Sequence, residues 1–571
     1  MHRALIKVSL IAIVLLAIGV AVSRGQANLL TSAATYQPPV VAESTAVDPL
    51  PAHSKRVVLV VVSGLSNEFW TATAMPGLQR LQEAGARTVA ISTPPTYRLP
   101  AWASLISGAP PPFTDAPLFD VSDTATHQLT SDTIFDAAAE QSLTTALAGN
   151  NRWVDIIPAG MVSHTAFFGG FPADADAQVM AEVARWVDDP SISLIVLQLS
   201  QIDDAAQEGI ESEAYQTALA KVDERLLQLQ KMLDLDTTTL IITADHGHLA
   251  QGGYGGDDIS VVSLPLVMVG QGIIPGEYSP VRQTDIAPTI AALLGTRLPA
   301  ANRGRPLLEM LTVSVPERAV IGKILAHQRI SLVEQVAAAL SEPFTPPENT
   351  SKLDDFLAIE NYTGAAQLAE LLVAEADNSL DAIIKMHRNF ARRLRFALGG
   401  TILAAIILLA LWQRTAVWFE TIFSAAVTVG GYHILYRLLK EPYSLSAVDN
   451  LLRFRLEIAW LVAAALVAGA IMLLVLLLLQ GYSGWQQTLQ AGYELILWAA
   501  IGFGVTVVWG YGQIGAKITT IFPDVALFFH YLTGLWQSQW VIGIGLFVPF
   551  LVLLLSMGVR SLGQAIRRPP Q

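Results

Sequence analysis

The chain contains no cysteine in 571 residues. Disulfides, thiolate metal sites and cysteine nucleophiles are therefore excluded, and the redox state of its compartment leaves no mark on the sequence. Charge is scarce as well: 15% of residues are charged against 52% hydrophobic, too apolar a balance for an ordinary soluble protein of this length. No basic stripe is visible and the formal net charge is -13, which argues against a nucleic-acid partner, because a phosphate-binding surface needs clustered Lys and Arg. The scarcity of charge is uneven. Charged residues are frequent from Lys55 to Arg395 and sparse beyond, so the apolar excess gathers in the last third, and a water-soluble part is joined to a membrane part.

At the N-terminus, Met1-His2-Arg3 with Lys7 leads into the largely apolar run Val8 to Val22, followed by Ser23-Arg24. A basic flank before a short greasy centre is the pattern of an export signal or an N-terminal anchor, assigned to residues 1–23. Residues 24–55, rich in Pro, Ala, Ser and Thr between Gln26 and Ser54, read as a flexible linker. Folded structure is expected from RVVLVVVSGLS at 56–66, a β-branched apolar run entering a loop at Gly64, followed by the helix-like MPGLQRLQEAG. Strand-like RTVAIST, SLIVLQLS, TTLIITAD and PLVMVG then alternate with helix-like PAWASLISG, Glu213 to Met232 and Asp285 to Leu294. This alternation over residues 56–312 predicts an α/β domain with a parallel sheet covered by helices on both faces, whose function gathers at the carboxyl ends of the strands.

Residues 313–395 read as an all-α stalk, and 396–571 as a transmembrane helix bundle. Its hydrophobic runs are Ala397 to Trp412, Ala416 to Tyr436, Glu457 to Leu479, Ala491 to Tyr511 and Trp540 to Val559, with a sixth stretch, Ile518 to Trp536, that carries Asp524 and His530. Most have the length needed to cross roughly 30 Å of hydrocarbon. The basic residues Lys385, Arg388, Arg392, Arg393 and Arg395 lie on the sheet-domain side of the first run, against the positive-inside bias. An extracytoplasmic α/β domain at the cell membrane is still the reading, because large domains translocate largely regardless of charge.

Three clusters fall where strands end: Ser63-Gly64 with PPTYRLPAWASLISG at 94–108, LSQIDDAAQEG at 199–209, and ADHGHLAQGGYGG at 244–256. With these, the order of VVLVVVSGL, MPGLQRLQEAGA, PTYRLPAW, DHGH, GGYGG, PLVMVGQGI, TDIAPTIAALLG and NRGRPL resembles the alkaline phosphatase superfamily, most closely its type I phosphodiesterase/nucleotide pyrophosphatase branch, over Arg56 to Leu311. The resemblance implies two zinc ions held by Asp and His, activating a Ser or Thr nucleophile. Carried over position by position, the first metal-binding Asp falls on Ser63 and the nucleophile on Arg98. The Asp-x-x-x-His pair falls on Asp203 and Gln207, the next pair on Asp245 and His246, and the last His on Tyr254.

A catalytic zinc wants about three protein ligands. Only Asp203, Asp245 and His246 remain as metal donors, and Arg98 brings a fixed positive charge where dications would sit. The expectation is therefore a non-catalytic phosphodiesterase-like protein without a cofactor, with a binding or assembly role beside the bilayer, envelope proteins or an anionic ligand. Arg98 is expected to pair with Asp203 and Asp245, either neutralising leftover carboxylates or leaving an anion pocket near His246 and His248. The rival is an active, zinc-dependent phosphodiesterase or phosphotransferase on a lipid-linked phosphoester, since the pairing of this fold with several spans is similar to the lipid-anchor phosphoethanolamine transferases. A transporter component, resting on the spans and Glu494, is a third class. His127, His164 and His327 read as structural or surface groups, and Asp257 and Asp258 as a solvated turn or substitute ligands. In the membrane runs Glu420, His433 and Glu494 stand out, because ionisable groups are costly there.

Overall fold

A computed structural model describes residues 2–44, 50–119, 128–169, 175–439, 444–448, 451–481, 484–519 and 521–566. His127 lies outside the described residues. The strands are β1 Arg56–Val62, β2 Ala86–Ile91, β3 Thr144–Asn150, β4 His164–Phe168, β5 Ile192–Leu199, β6 Thr238–Thr243 and β7 Ser263–Gly270, with the short edge strands β8 Gly276–Glu277 and β9 Val281–Arg282. The helices of the same domain and its approach are α1 His2–Ala34, α2 Pro76–Ala84, α3 Arg98–Ser107, α4 Ile134–Glu140, α5 Ala175–Val187, α6 Gln201–Ala206, α7 Glu213–Met232, α8 Ile259–Val262 and α9 Ile286–Leu294. Beyond them come α10 Val315–Leu340, α11 Lys352–Ala358, α12 Tyr362–Gln413, α13 Trp418–Leu439, α14 Leu451–Leu479, α15 Trp485–Ile514, α16 Val525–Gly545 and α17 Val548–Ile566.

The sheet runs β4-β3-β5-β1-β6-β7-β2-β8, with β9 beside β2. From β4 to β6 every pairing is parallel, and Val57 to Val62 of the central β1 are fully buried, as expected of a strand covered on both faces. Helices α2, α5 and α7 pack as one set, and α3, α4 and α9 as another. The sheet is parallel-dominant, as the sequence reading expects, with one strand reversed: β7 runs antiparallel to both β6 and β2. The connection from β6 to β7 holds only the four-residue α8 instead of a covering helix, so the chain returns beside β6 in the opposite sense. The strands β3 and β4 were not foreseen, because TTALAGN and HTAFF lack the β-branched runs that mark the central strands.

The linker expected from residue 24 begins later than the sequence suggests. Helix α1 continues to Ala34, and its stripe Ile11, Leu15, Val22, Leu29 and Ala33 is buried against α15 and α16. Burial of this seam outweighs the weak helix preference of the Ser and Thr residues near its end. The stalk and the membrane part are likewise not separate: α12 is one helix of 52 residues that crosses residue 395 without a break.

Among the described residues five helices are long and apolar enough to cross a membrane, namely Ile6–Ala34 and those within α12, α13, α14 and α15; α16 and α17, bent by 43°, make a sixth if the pair is one span. The bend splits the expected run Trp540 to Val559, because Pro549 in the first turn of α17 has no amide to continue a ladder from α16. Helix α15 is the hub of the bundle, in contact with α1, α12, α13, α14, α16 and α17.

Helix α2 has no cap of its own. Its N-cap is Met75, and the buried carboxylate of Asp223 on α7 instead accepts from the amides of Gly77 and Leu78, each at 2.8 Å. Replacing Asp223→Ala leaves both amides buried without a partner and is expected to cost about 2–4 kcal/mol, read as a lower thermal midpoint of the full chain, while Asp223→Asn recovers part of the loss.

Candidate functional site

Four segments converge at the carboxyl ends of β1, β5 and β6. Ser63 and Gly64 follow β1, Asp203 sits in α6 just past β5, and Asp245, His246 and His248 follow β6; Arg98 is the first residue of α3. Gly64 adopts φ +80°, and a Cβ there would stand 2.8 Å from the Cα of Asp203 and 2.9 Å from Nε2 of His248. Only glycine lets the β1 loop approach this closely.

Asp203 is fully buried and engaged on both oxygens. Arg98 donates to its Oδ2 from Nε at 2.7 Å and from Nη2 at 2.5 Å, and Nε2 of His248 lies 2.8 Å from its Oδ1. Burial alone would push this carboxyl up, but the Arg98 charge, the His248 hydrogen bond and the field of His246 together hold it well below the usual carboxylate range. Burial pushes His248 down, against the pull of Asp203. Next in sequence, Asp204 is pushed up to about 6 by burial and by the charge of Asp203.

Asp245 has a different surrounding. Its Oδ2 accepts from Ser63 Oγ at 2.7 Å and from Trp102 Nε1 at 2.8 Å, and its Oδ1 from the amides of His246 at 2.8 Å and Gly64 at 3.3 Å. Gln198 donates to Ser63 Oγ at 2.8 Å, and Trp102 is stacked on Trp153 with centroids 4.4 Å apart. The expected pairing of Arg98 with Asp203 is thus present, whereas Asp245 is satisfied by neutral donors. Trp102 and Gln198 could not be foreseen, since neither residue type is a metal donor and their role exists only through Ser63 and Asp245.

The Tyr254 ring lies flat on the His246 ring, 4.0 Å between centroids and 2° between planes, with the Arg98 guanidinium 5.7 Å from the Tyr254 centroid. Gln207 ends α6 as its C-cap. His164 is exposed on β4 and His327 lies on α10, away from the strand ends. Asp258 accepts from Ser444 Oγ of the membrane part, and the Gly256 amide donates to Ser446 Oγ at 3.0 Å, so the glycine-rich loop of the site is docked on the turn between α13 and α14. An aromatic series continues the contact, from Tyr254 to Tyr97 at 5.7 Å, Phe119 at 5.8 Å, and Phe528 at 5.3 Å.

The donor set does not fit two zinc ions. Three of the four hydrogen bonds at Asp245 and the guanidinium on Asp203 occupy the lone pairs that two dications would need. One ion is a different matter. Asp203, His246 and His248 present donor atoms within 4.8 Å of one another, and all three are buried. Nδ1 of His246 lies 3.1 Å from the Gly247 carbonyl, which fixes the proton there and leaves Nε2 as the free lone pair; this Nε2 has no hydrogen-bond partner and lies 4.0 Å from Asp203 Oδ1 and 3.7 Å from Asp245 Oδ1. A lone pair aimed between two carboxylates calls for one positive charge, supplied by an ion or by a second proton on the ring. The buried group that could hold one ion thus joins His248 to Asp203 and His246, while Asp245, also expected as a donor, is engaged by its hydrogen bonds.

In the membrane part, Glu494 is 1% exposed and accepts from Thr415 Oγ1 at 2.8 Å, and Gln480 donates to Glu420. His433 packs between Tyr432 and Phe503.

Residues 57–251 match the type I phosphodiesterase / nucleotide pyrophosphatase family. Among curated relatives, the catalytic subunit of GPI ethanolamine phosphate transferase 3 of Mus musculus is 24% identical over 319 residues, 51% of this chain and 28% of its own length. The catalytic subunit of GPI ethanolamine phosphate transferase 2 of Homo sapiens is 25% identical over 293 residues, 46% of this chain and 29% of its own. The chain thus spans less than a third of the length of these two relatives. Among solved structures, murine ectonucleotide pyrophosphatase / phosphodiesterase 5 aligns at 13% identity and a TM-score of 0.36 over 45% of this chain and 100% of that one. An alkaline phosphatase superfamily protein from Vibrio parahaemolyticus aligns at 16% identity and a TM-score of 0.36 over 52% of this chain and 80% of that one. The match to the type I phosphodiesterase / nucleotide pyrophosphatase family is thus confined to residues 57–251, which are carried by a multi-pass membrane protein.

Proposed function

We propose that this chain is a membrane-tethered phosphodiesterase-like protein, its α/β domain extracytoplasmic, that binds a phosphoester-type anion or an envelope partner at the strand ends without two-metal, hydroxyl-nucleophile chemistry. The observation that carries this reading is Arg98, which stands at the position that the resemblance gives to the attacking hydroxyl and closes a buried ion pair on Asp203. A guanidinium cannot attack phosphorus, and it supplies the positive charge that a metal would otherwise bring. Its side chain is 19% exposed, so part of the cation still faces the mouth of the site, where an anion would meet it.

A second reading is favoured by the triad Asp203, His246 and His248 and by the activity in the relatives' names. Here one zinc ion held by these three side chains would supply Lewis-acid stabilisation of a phosphoryl oxygen, and the chain would be a phosphotransferase or phosphodiesterase on a lipid-linked phosphoester. This chain's own contribution would be the Gly247 carbonyl, which orients His246, and Arg98, which faces the anion while pairing Asp203.

Metal analysis of the purified full chain beside a phosphodiester turnover assay separates the readings. The first expects no turnover and no second equivalent of zinc, and a bimetallic centre with turnover in the unaltered chain would defeat it. It also expects Arg98→Ala to leave Asp203 buried without its cation, lowering stability by about 3 kcal/mol in thermal unfolding. The second expects one equivalent of zinc by titration calorimetry. Its affinity and any turnover should fall a hundredfold or more in His248→Ala, since outer-shell losses alone cost about 10–100-fold. Gln207→Ala and Tyr254→Phe should leave zinc affinity unchanged under that reading.

A further inference from the structure

The stretch of α12 that enters the membrane carries an unusual band. Lys385, Arg388, Arg392, Arg393 and Arg395 fall within three turns, and no acidic residue occurs between Asp381 and Glu420. On the same helix Met386, Phe390, Leu394, Leu398 and Ile402 recur every fourth residue and are exposed, Phe390 at 83% and Leu394 at 70%. An exposed apolar stripe that continues without interruption into the spanning segment is a lipid-facing stripe. It begins at Met386 and ends at Trp412, a rise of about 39 Å at the helical pitch, which matches a bilayer of roughly 40–45 Å with both headgroup layers included. The arginines therefore lie at headgroup depth, on the side of the sheet domain.

They divide into two kinds. Arg388 donates to the carbonyls of Ile521 and Phe522, each at 3.0 Å, and Arg395 donates to the Ile514 carbonyl at 2.7 Å. These two staple the loop between α15 and α16 to α12. A Cβ at Gly515 in that loop would stand 2.8 Å from the Arg395 guanidinium carbon, so the loop lies flat on the arginine. The stapling brings the exposed Lys517 to the same depth. The nearest acids face other groups: Glu342 lies 3.3 Å from His387, and Asp524 caps α16 by accepting from the Leu527 amide at 3.0 Å while facing Arg388. Arg392 and Arg393 make no ion pair among the described residues. They stand between the stapled arginines, beside the exposed Phe390 and Leu394.

We propose that Arg392 and Arg393, with Lys517 beside them, bind the phosphates of anionic phospholipids in the leaflet nearest the sheet domain, with Phe390 and Leu394 against the upper acyl chains. Uncompensated cations at headgroup depth favour lipids of net negative charge over zwitterionic ones, and guanidinium groups grip phosphate through paired N–H donors. The site is separate from the strand-end site and does not depend on which reading of that site holds.

The test places the full chain in equimolar phosphatidylglycerol and phosphatidylcholine and counts retained lipids by native mass spectrometry. Phosphatidylglycerol should be held in excess by the unaltered chain. The double variant Arg392→Gln/Arg393→Gln should weaken its binding roughly thirtyfold, as expected for two basic groups at a membrane surface, and leave phosphatidylcholine unchanged. Equal retention of the two lipids by the unaltered chain, or unchanged phosphatidylglycerol binding by the double variant, would overturn the assignment.

Discussion

The buried charge at Asp203 is the constraint on which the site is built. A carboxylate with no solvent access costs several kcal/mol unless a cation and hydrogen bonds stand beside it, and here the fork of Arg98 and the ring of His248 supply both. Everything near it follows from that arrangement. Gly64 has no side chain because one would occupy the space of Asp203 and His248, and α3 must begin at Arg98 for the guanidinium to reach β5's end. The field of the pair extends to Asp204, whose carboxyl is pushed up to about 6 partly because its neighbour stays ionised.

Asp245 shows the same problem solved without charge. Ser63, Trp102 and two backbone amides satisfy it, and Gln198 in turn holds the Ser63 hydroxyl. These neutral donors form one connected set: Trp102 donates to Asp245 while stacked on Trp153, and Gln198 donates to the Ser63 hydroxyl that itself donates to Asp245. A single reversal at Ser63 would bring a second carboxylate against Asp245 with no cation between them, which like-charge repulsion opposes. The substitutions that separate this site from a two-ion site therefore act together.

Much of the fold was legible because the central strands are continuous β-branched runs and α7 is a clean amphipathic repeat; Glu213 to Met232 was placed residue for residue. What escaped was set by contacts across the chain. The reversal of β7 depends on how little helix follows β6, and the extension of α1 to Ala34 depends on burial against α15 and α16, which local composition does not report. At the site, the pairing of Arg98 with Asp203 followed from charge alone, since a leftover buried carboxylate needs a cation. The role of His248 did not, although the second histidine of DHGH was its signal: which of the nearby polar side chains faces Asp203 is decided by the path of the loop after β6, where Gly247 passes too close to Ser66 and the Ser260 carbonyl for a Cβ, and that packing is a tertiary feature.

The membrane part is not a passive anchor for this site, and the reason is geometric. Gly256 and Asp258, two and four residues past Tyr254, hydrogen-bond Ser446 and Ser444 in the turn between α13 and α14, and a Cβ on Gly256 would stand 2.5 Å from Ser446 Oγ. Tyr254 itself lies on His246 and touches Tyr97, whose ring meets Phe119 and through it Phe528 of α16. The loop that positions the ring over the histidine is thus fixed from below by the bundle. Since α12 passes from stalk to membrane as one helix, no hinge within it lets the two parts separate independently. Packed rings and a docked loop transmit displacement because a close-packed contact has few alternative arrangements, so a shift of the α13–α14 turn reaches His246, whose buried Nε2 has no hydrogen-bond partner among the described residues.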